Sequence, residues 1–443
     1  MKQESLDLRQ PTVGLPLDFN YTQVRPTFAT LSIIVPTTYV SACFNQATFD
    51  QKKTLSAIGF NRGEVPIEYI EQNFMSGLTD HIQEFLFKYF VTPYLYKELY
   101  TRKILVTGYP RLKDIRFDQQ RNASFDFELS TFEPISLQEW RYFPFKAPKR
   151  KKYKDIDRQV DSFVKDEREL QKNFEHEDIV HINDWVHFSV MPLDLTGKAV
   201  FEHEPLSLWL KMGDEDADEV IRNAFINRKK DEQFITNNRG LQDFFSTALE
   251  TNYSFAIHIK DILHNNYFCF ELFKKHFKLK TNKDMLQKLI EVFSYRNDMS
   301  QRRTMIEEAL ALLLQKHKFD IPTHLIIRQK EVLLEHISLN PDYQVYRAQK
   351  DFNQRVDQLA EKQIKEMLML DQMAYSENIF AHDHDIKSYL NLTKRPRAKE
   401  FIYFDTPITR IDGKEAPVCA EELRHICMRE KAINHIIHHL THA

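Results

Sequence analysis

Apolar residues recur at two different periods along this chain, and the changes of period divide it. In residues 28–35, Leu31, Ile33 and Val35 alternate with Ser32 and its neighbours, which predicts a strand. From Thr37 to Leu55 the period lengthens, and Val40, Phe44, Ala47 and Leu55 share one face of a predicted helix. Behind Pro66 a second helical stripe begins with Ile67, Ile70, Phe74, Leu78, Ile82, Phe85, Leu86 and Tyr89, predicted to stop near Thr92-Pro93. Residues 104–106 and the alternating Phe125, Phe127 and Leu129 return to period two. Strand, helix, helix, then strands is the pattern of one α+β domain, placed at residues 25–144. Residues 1–24 carry Pro11 and Pro16 without a sustained period and read as an N-terminal extension.

Residues 145–180 are a basic linker and a charged helix. Six cations fall within residues 146–154, and Ile156, Val160, Phe163, Val164 and Leu170 form the stripe that follows. Such a cationic run suits phosphate, and it equally suits a solvated domain crossing. Over residues 181–263 the texture is of short strands: Val186, Phe188 and Val190; Leu206, Leu208 and Leu210; Phe255, Ile257 and Ile259. From 264 to 443 every stripe is helical. Met285, Leu289 and Phe293 form one; Met305, Ala309 and Leu313 another; Leu325, Val332 and Leu333 follow Pro322. A long helix is predicted from Gln344 to Phe380, and a last one from Ala420 to His442.

Composition narrows the classes. Nine glycines against 34 Phe and 18 Tyr favour helices and packed aromatics. A net charge of −3 argues against a dedicated nucleic-acid binder, and no DNA partner is expected. The cysteines, Cys43, Cys269, Cys419 and Cys427, form no C-x-x-C, as expected of free thiols in a reducing compartment. No apolar N-terminal segment resembles a secretory signal, and no apolar run reaches membrane-spanning length, so a cytoplasmic location is expected. Four C-terminal histidines, His435, His438, His439 and His442, share one helix face. Histidine there also complements the helix dipole, and no metal centre is expected. Without a Gly-rich phosphate loop or a nucleophile motif, neither a cofactor nor energy-driven chemistry is expected.

The most specific stretch is Gly59-Phe60-Asn61-Arg62-Gly63-Glu64-Val65-Pro66. Two glycines free the backbone around an aromatic and a cation, and a proline at a helix start closes the segment. Gly-Phe-x-x-Gly-x-x-Pro followed by an amphipathic helix resembles the ribosome-docking signature of the trigger factor family of bacterial ribosome-associated chaperones. That loop usually reads Gly-Phe-Arg-Lys-Gly-Lys-x-Pro. Here Asn61, Arg62 and Glu64 stand at its three cationic positions.

The resemblance implies an α+β multidomain protein: a ribosome-docking N-terminal domain, an FKBP-like β-rich middle domain, and an all-α C-terminal body with protruding arms. Gly59, Phe60, Asn61, Arg62, Gly63 and Pro66 would then dock near the tunnel exit of the large ribosomal subunit, with Lys149, Arg150, Lys151 and Lys152 as candidate RNA contacts. In the middle domain the family's Met-Gly is followed by Ile-Pro-Gly-Phe or similar lining a proline pocket. This chain offers Asp218, Glu219, Val220 and Ile221 there, with Phe188 and Phe201 as other candidate walls. Carboxylates are wrong for the dry cleft that isomerisation needs, so peptidyl-prolyl cis/trans isomerase activity is expected to be weak or absent. Met367, Met369 and Met373 are candidate contacts for nascent or unfolded polypeptides, although methionines at this spacing also fit an ordinary core. The expected function is ATP-independent holding of new chains. The alternatives are an active prolyl isomerase and a ribosome-independent cytosolic holdase; membrane partners are not expected, and a homodimer is left open.

Overall fold

The alternation read in the sequence becomes a four-stranded antiparallel sheet. In this computed structural model, residues 17–442 are described apart from 118–121, 138, 149–154, 175–177, 195, 202, 297–298, 339 and 408. The first unit comprises β1 (Asp18–Arg25), β2 (Phe28–Val35), α1 (Thr37–Thr54), α2 (Ile67–Leu86), α3 (Thr92–Thr101), β3 (Arg111–Arg116) and β4 (Ala123–Leu129). The strand order is β1-β2-β4-β3. Register places Leu31 opposite Phe127 and Ile33 opposite Phe125, so both strands turn their large residues to one face. Residues 18–24, expected to belong to an extension, instead pair along β2 as an edge strand. Their backbone bonds hold them in place although most of their side chains stay in water.

The second helix does not stop at Pro93. A π-helical turn over Phe87–Val91 joins α2 to α3, with the Thr92 N–H reaching back to the Phe87 carbonyl. One extra residue in the turn passes the chain through a proline that cannot donate, and it turns Tyr89, Phe90 and Val91 all inward.

The charged helix α4 (Ile156–Phe174) leads to a second sheet. It is built from β5 (Trp185–Leu193), β6 (Leu206–Lys211), β7 (Gln233–Thr236) and β8 (Ser254–Leu263), with α5 (Glu219–Arg222) and α6 (Arg239–Phe245) beside them. Every residue of β5 is buried, as expected for a central strand covered on both faces. The two sheets share an apolar core. Phe201 meets Phe90 at 4.7 Å and Tyr89 at 5.6 Å between ring centroids, Phe245 meets Phe85 at 5.3 Å, and the Tyr89 hydroxyl donates to the Val190 carbonyl (3.1 Å).

The helical body holds α7 (Phe270–His276), α8 (Asn282–Phe293), the β9 (Tyr295–Arg296) and β10 (Met299–Ser300) turn, α9 (Gln301–Lys316), α10 (Thr323–Ser338), α11 (Tyr343–Arg347), α12 (Phe352–Ser376), α13 (Asp383–Thr393) and α14 (Pro396–Lys399). The hairpin of β11 (Arg410–Ile411) and β12 (Lys414–Glu415), then β13 (Val418–Cys419) and α15 (Ala420–His442), complete it. Two elements reach out of the body. α10 pairs with the first half of α12 as an arm with its own small core of Leu333, Val356 and Ala360. β13 pairs with β6 and extends the second sheet to the order β13-β6-β5-β8-β7. α4 packs on α8, with Phe163 5.6 Å from Phe293, so the helix after the linker belongs to the body.

Candidate functional site

The loop between α1 and α2 is built to be seen. α1 ends at Thr54, and the chain turns through Ala57 and Phe60, whose N–H donates to the Ala57 carbonyl at 2.9 Å. Gly59 and Gly63 take φ of +89° and +87°, a region that side chains resist. A Cβ at either would touch nothing, so backbone conformation alone requires glycine there. Val65, fully buried, roots the loop, and Pro66 sits one residue before the helix at its N-cap, accepting from the Ile70 N–H.

Between these anchors Asn61, Arg62 and Glu64 are exposed. Asn61 donates to the Glu64 carboxylate at 2.9 Å, closing the loop on itself. Phe60 is half-buried against Tyr69, ring centroids 5.3 Å apart. The most exposed large apolar side chain in this stretch is Ile58, at 98%. It was no candidate in the sequence; its position before the first glycine is the local signal that would have named it.

The residues assigned to an isomerase pocket face different neighbours. Phe188 packs on Phe225 (4.8 Å), while Phe201 turns toward Phe90 in the other sheet's helix layer. Glu219 and Val220 are exposed, and Ile221 is buried. Asp218 is fully buried and serves the C-terminal hairpin. It accepts from the Glu415 N–H (2.7 Å) and from Arg410 Nη2 (3.3 Å). A Cβ at Gly213 would lie 2.0 Å from its Oδ2, so glycine there makes room for the carboxylate. The acid that looked misplaced in a proline cleft is a fastener between sheet and body.

The methionines are also placed differently. Met369 and Met373 are wholly buried in the helical core, and Met367 packs against it half-buried, because the second half of α12 is covered by α9 and α15. Exposed apolar side chains lie instead on the arm: Ile327, Val345, Tyr346 and Leu359. Lys149, Arg150, Lys151 and Lys152 lie outside the described residues. A cluster that sequence spacing could not reveal joins His181, Asp184 and His264. Between the two sheets, a crevice of about 10 Å³ lined by Cys43, His81, Phe85, Phe201 and Tyr253 has room for no more than one water.

The family model of the bacterial trigger factor protein matches residues 18–165, and that of the trigger factor C-terminus matches residues 279–401, together more than half of the chain. The trigger factor of Rickettsia canadensis (strain McKiel) is 19% identical over 425 residues, spanning 91% of this chain and 89% of the relative. That of Rickettsia peacockii (strain Rustic) is 19% identical over 432 residues, spanning 92% and 90%. A solved structure of the trigger factor chaperone, described for promiscuous substrate recognition in folding and assembly, aligns over 95% of this chain and 99% of that one. Its identity is 11% and its TM-score 0.38. An α+β domain carrying a presented loop is joined through a second sheet to a helical body with an arm, and with the two family matches this is the make-up of a protein-folding chaperone. The chain belongs to the trigger factor family.

Proposed function

We propose that this chain docks at the large ribosomal subunit near the tunnel exit through residues 58–66 and holds emerging polypeptides in the cytoplasm without ATP. The carrying observation is the loop itself, two positive-φ glycines presenting Ile58, Asn61 and Arg62 at the start of an amphipathic helix. Arg62 meets a phosphate or an acidic ribosomal side chain, while Ile58 and the outer edge of Phe60 bury apolar surface. Clients are held on the arm, where Ile327, Val345, Tyr346 and Leu359 leave apolar surface open among charged neighbours. The division expected at residues 25–144, 181–263 and 264–443 fits this assignment of tasks once the first unit is extended back to residue 18. The buried role of Asp218 supports a holding function over prolyl isomerisation. No helix among the described residues is long and apolar enough to cross a membrane.

One observation favours a ribosome-independent holdase instead. Glu64 is engaged by Asn61 and adds negative charge beside Arg62, so the loop has a single cation to offer RNA. Co-sedimentation with large ribosomal subunits separates the two readings. The wild-type chain is expected to pellet with a shallow salt dependence, about one phosphate's worth, and a Phe60→Ala/Asn61→Ala/Arg62→Ala variant to stay in solution. Equal pelleting of both would shift docking to the 146–154 run. Pelleting of neither would leave the free holdase.

A further inference from the structure

We propose that His181, Asp184 and His264 form a binding site for a divalent transition-metal ion of the zinc class. Sheet register brings the residues together. Trp185 pairs with Leu263 at the end of the β5–β8 ladder, so Asp184 and His264, one step beyond, face each other. A turn adds the third. Asn183 takes φ of +68°, and the Asp184 N–H returns to the His181 carbonyl at 3.3 Å, folding His181 over the carboxylate.

His264 Nδ1 is 2.8 Å and His181 Nδ1 3.7 Å from Asp184 Oδ2, and the three ligand atoms lie within 4.8 Å of one another. Zinc bonds of about 2.0–2.1 Å in tetrahedral geometry set ligand atoms about 3.3 Å apart. That spacing falls inside the range already present, so small side-chain shifts would admit the ion. Two imidazoles and one carboxylate are a donor set suited to zinc.

The carboxylate is aimed before any ion arrives. Asp184 has no exposed surface; its Oδ1 accepts the Asn265 N–H (2.8 Å) and its Oδ2 the His181 N–H (2.9 Å). Backbone donors of this kind orient a metal-ligating carboxylate. The His181 side chain is 34% exposed, which gives the ion a way in and leaves a coordination position open to water. Lys394 is a nearby opposing cation, but its ammonium is spent on the carbonyls of His264 and Tyr267. Residues 264–267 carry the chain from the second sheet into the body, with Arg395 holding the carbonyls of Asn265 and Asn266. An ion here would pin that crossing.

The test uses the full chain carrying His438→Ala/His439→Ala/His442→Ala, which breaks both C-terminal histidine pairs, His438–His442 with rings 4.6 Å apart and His435–His439 with rings 4.4 Å apart. Zinc is titrated against a chromogenic chelator, and cobalt(II) is added separately to read coordination geometry by absorption. The parent is expected to take up one zinc per chain, to show tetrahedral cobalt bands and to gain thermal stability with zinc. His181→Ala is expected to weaken zinc binding by more than about 100-fold, since losing an outer-shell partner alone costs about 10–100-fold. Equal zinc affinity in parent and variant overturns the site. So does the absence of tetrahedral cobalt bands from the parent, a result that depends on no substitution at the site; the His264–Asp184 pair is then structural only. Should His181→Ala misfold by circular dichroism, His181→Gln takes its place under the same criteria.

Discussion

His81 and His203 lie along the seam between the two sheets, shut off from bulk water. His81 is 1% exposed with Nε2 2.8 Å from the Tyr253 hydroxyl, and His203 is 2% exposed with its ring 4.9 Å from Phe90. Burial lowers both pKa values to about 4, against an ordinary value of 6.5. Their folded pKa values therefore lie below the unfolded ones. Between pH 6.5 and 4 the unfolded chain binds protons that the folded chain refuses, so stability falls as pH falls through this window and is retained above it. At about 1.4 kcal/mol per pKa unit, each histidine contributes roughly 3 kcal/mol of acid sensitivity. Urea midpoints measured from pH 7.5 to 4.5 should drop steeply below 6.5. A His81→Gln variant, though weaker at neutral pH, should lose about one proton from that slope. An unchanged slope would mean that His81 accepts protons while folded.

The arm has the least to hold it. Leu333, Val356 and Ala360 form a core separate from the two main ones, supported by a Gln329–Gln363 hydrogen bond (2.9 Å) and a Lys330–Asp357 ion pair (2.7 Å). Small local cores open at lower free energy than the global fold. Ala360→Glu would place a carboxylate where the side chain has no exposure, at a cost of several kcal/mol or a parted hairpin. Hydrogen exchange should then speed up over Thr323–Ser338 and the first half of α12, with residues 364–376 unchanged; an unaffected α10 would contradict the pairing. Elements of this kind were legible where side chains carry the period: α1 and α15 fall where the stripes put them, within a residue. The start of α13 was not, because it is set by a capping box between His382 and Asp385 in a stretch that reads as a surface turn. Edge strand β3, with the sequence RLKDIR, is held by backbone pairing to β4 and shows little apolar alternation. The presented loop was legible because glycine and proline act locally. Asp218 was not, since its partners Arg410 and Glu415 lie nearly two hundred residues away and only the fold makes them neighbours.

At the scale of the whole molecule, the shared core decides how the chain responds to damage. The seam is apolar at its centre and polar at its rim, where Lys88 donates to the Phe244 carbonyl (2.7 Å) and Gln51 to the Glu250 carbonyl (2.6 Å). Phe201 belongs to the second sheet's unit, is 2% exposed, and spends its ring on Tyr39, Tyr89 and Phe90 of the first. Phe201→Ala should therefore remove about 3–5 kcal/mol, and the loss should fall on both sides of the seam. Hydrogen exchange would show α2 and β5 losing protection together, with the α8 and α15 amides holding longer because their core is built from other residues. If the sheets were independent units touching at a surface, protection would fall only in the second sheet and α2 would keep its rate. The continuous packing from Phe85 through Phe90 to Phe201 and Phe245 argues for the first outcome, and with it for the presented loop and the middle sheet moving as one piece.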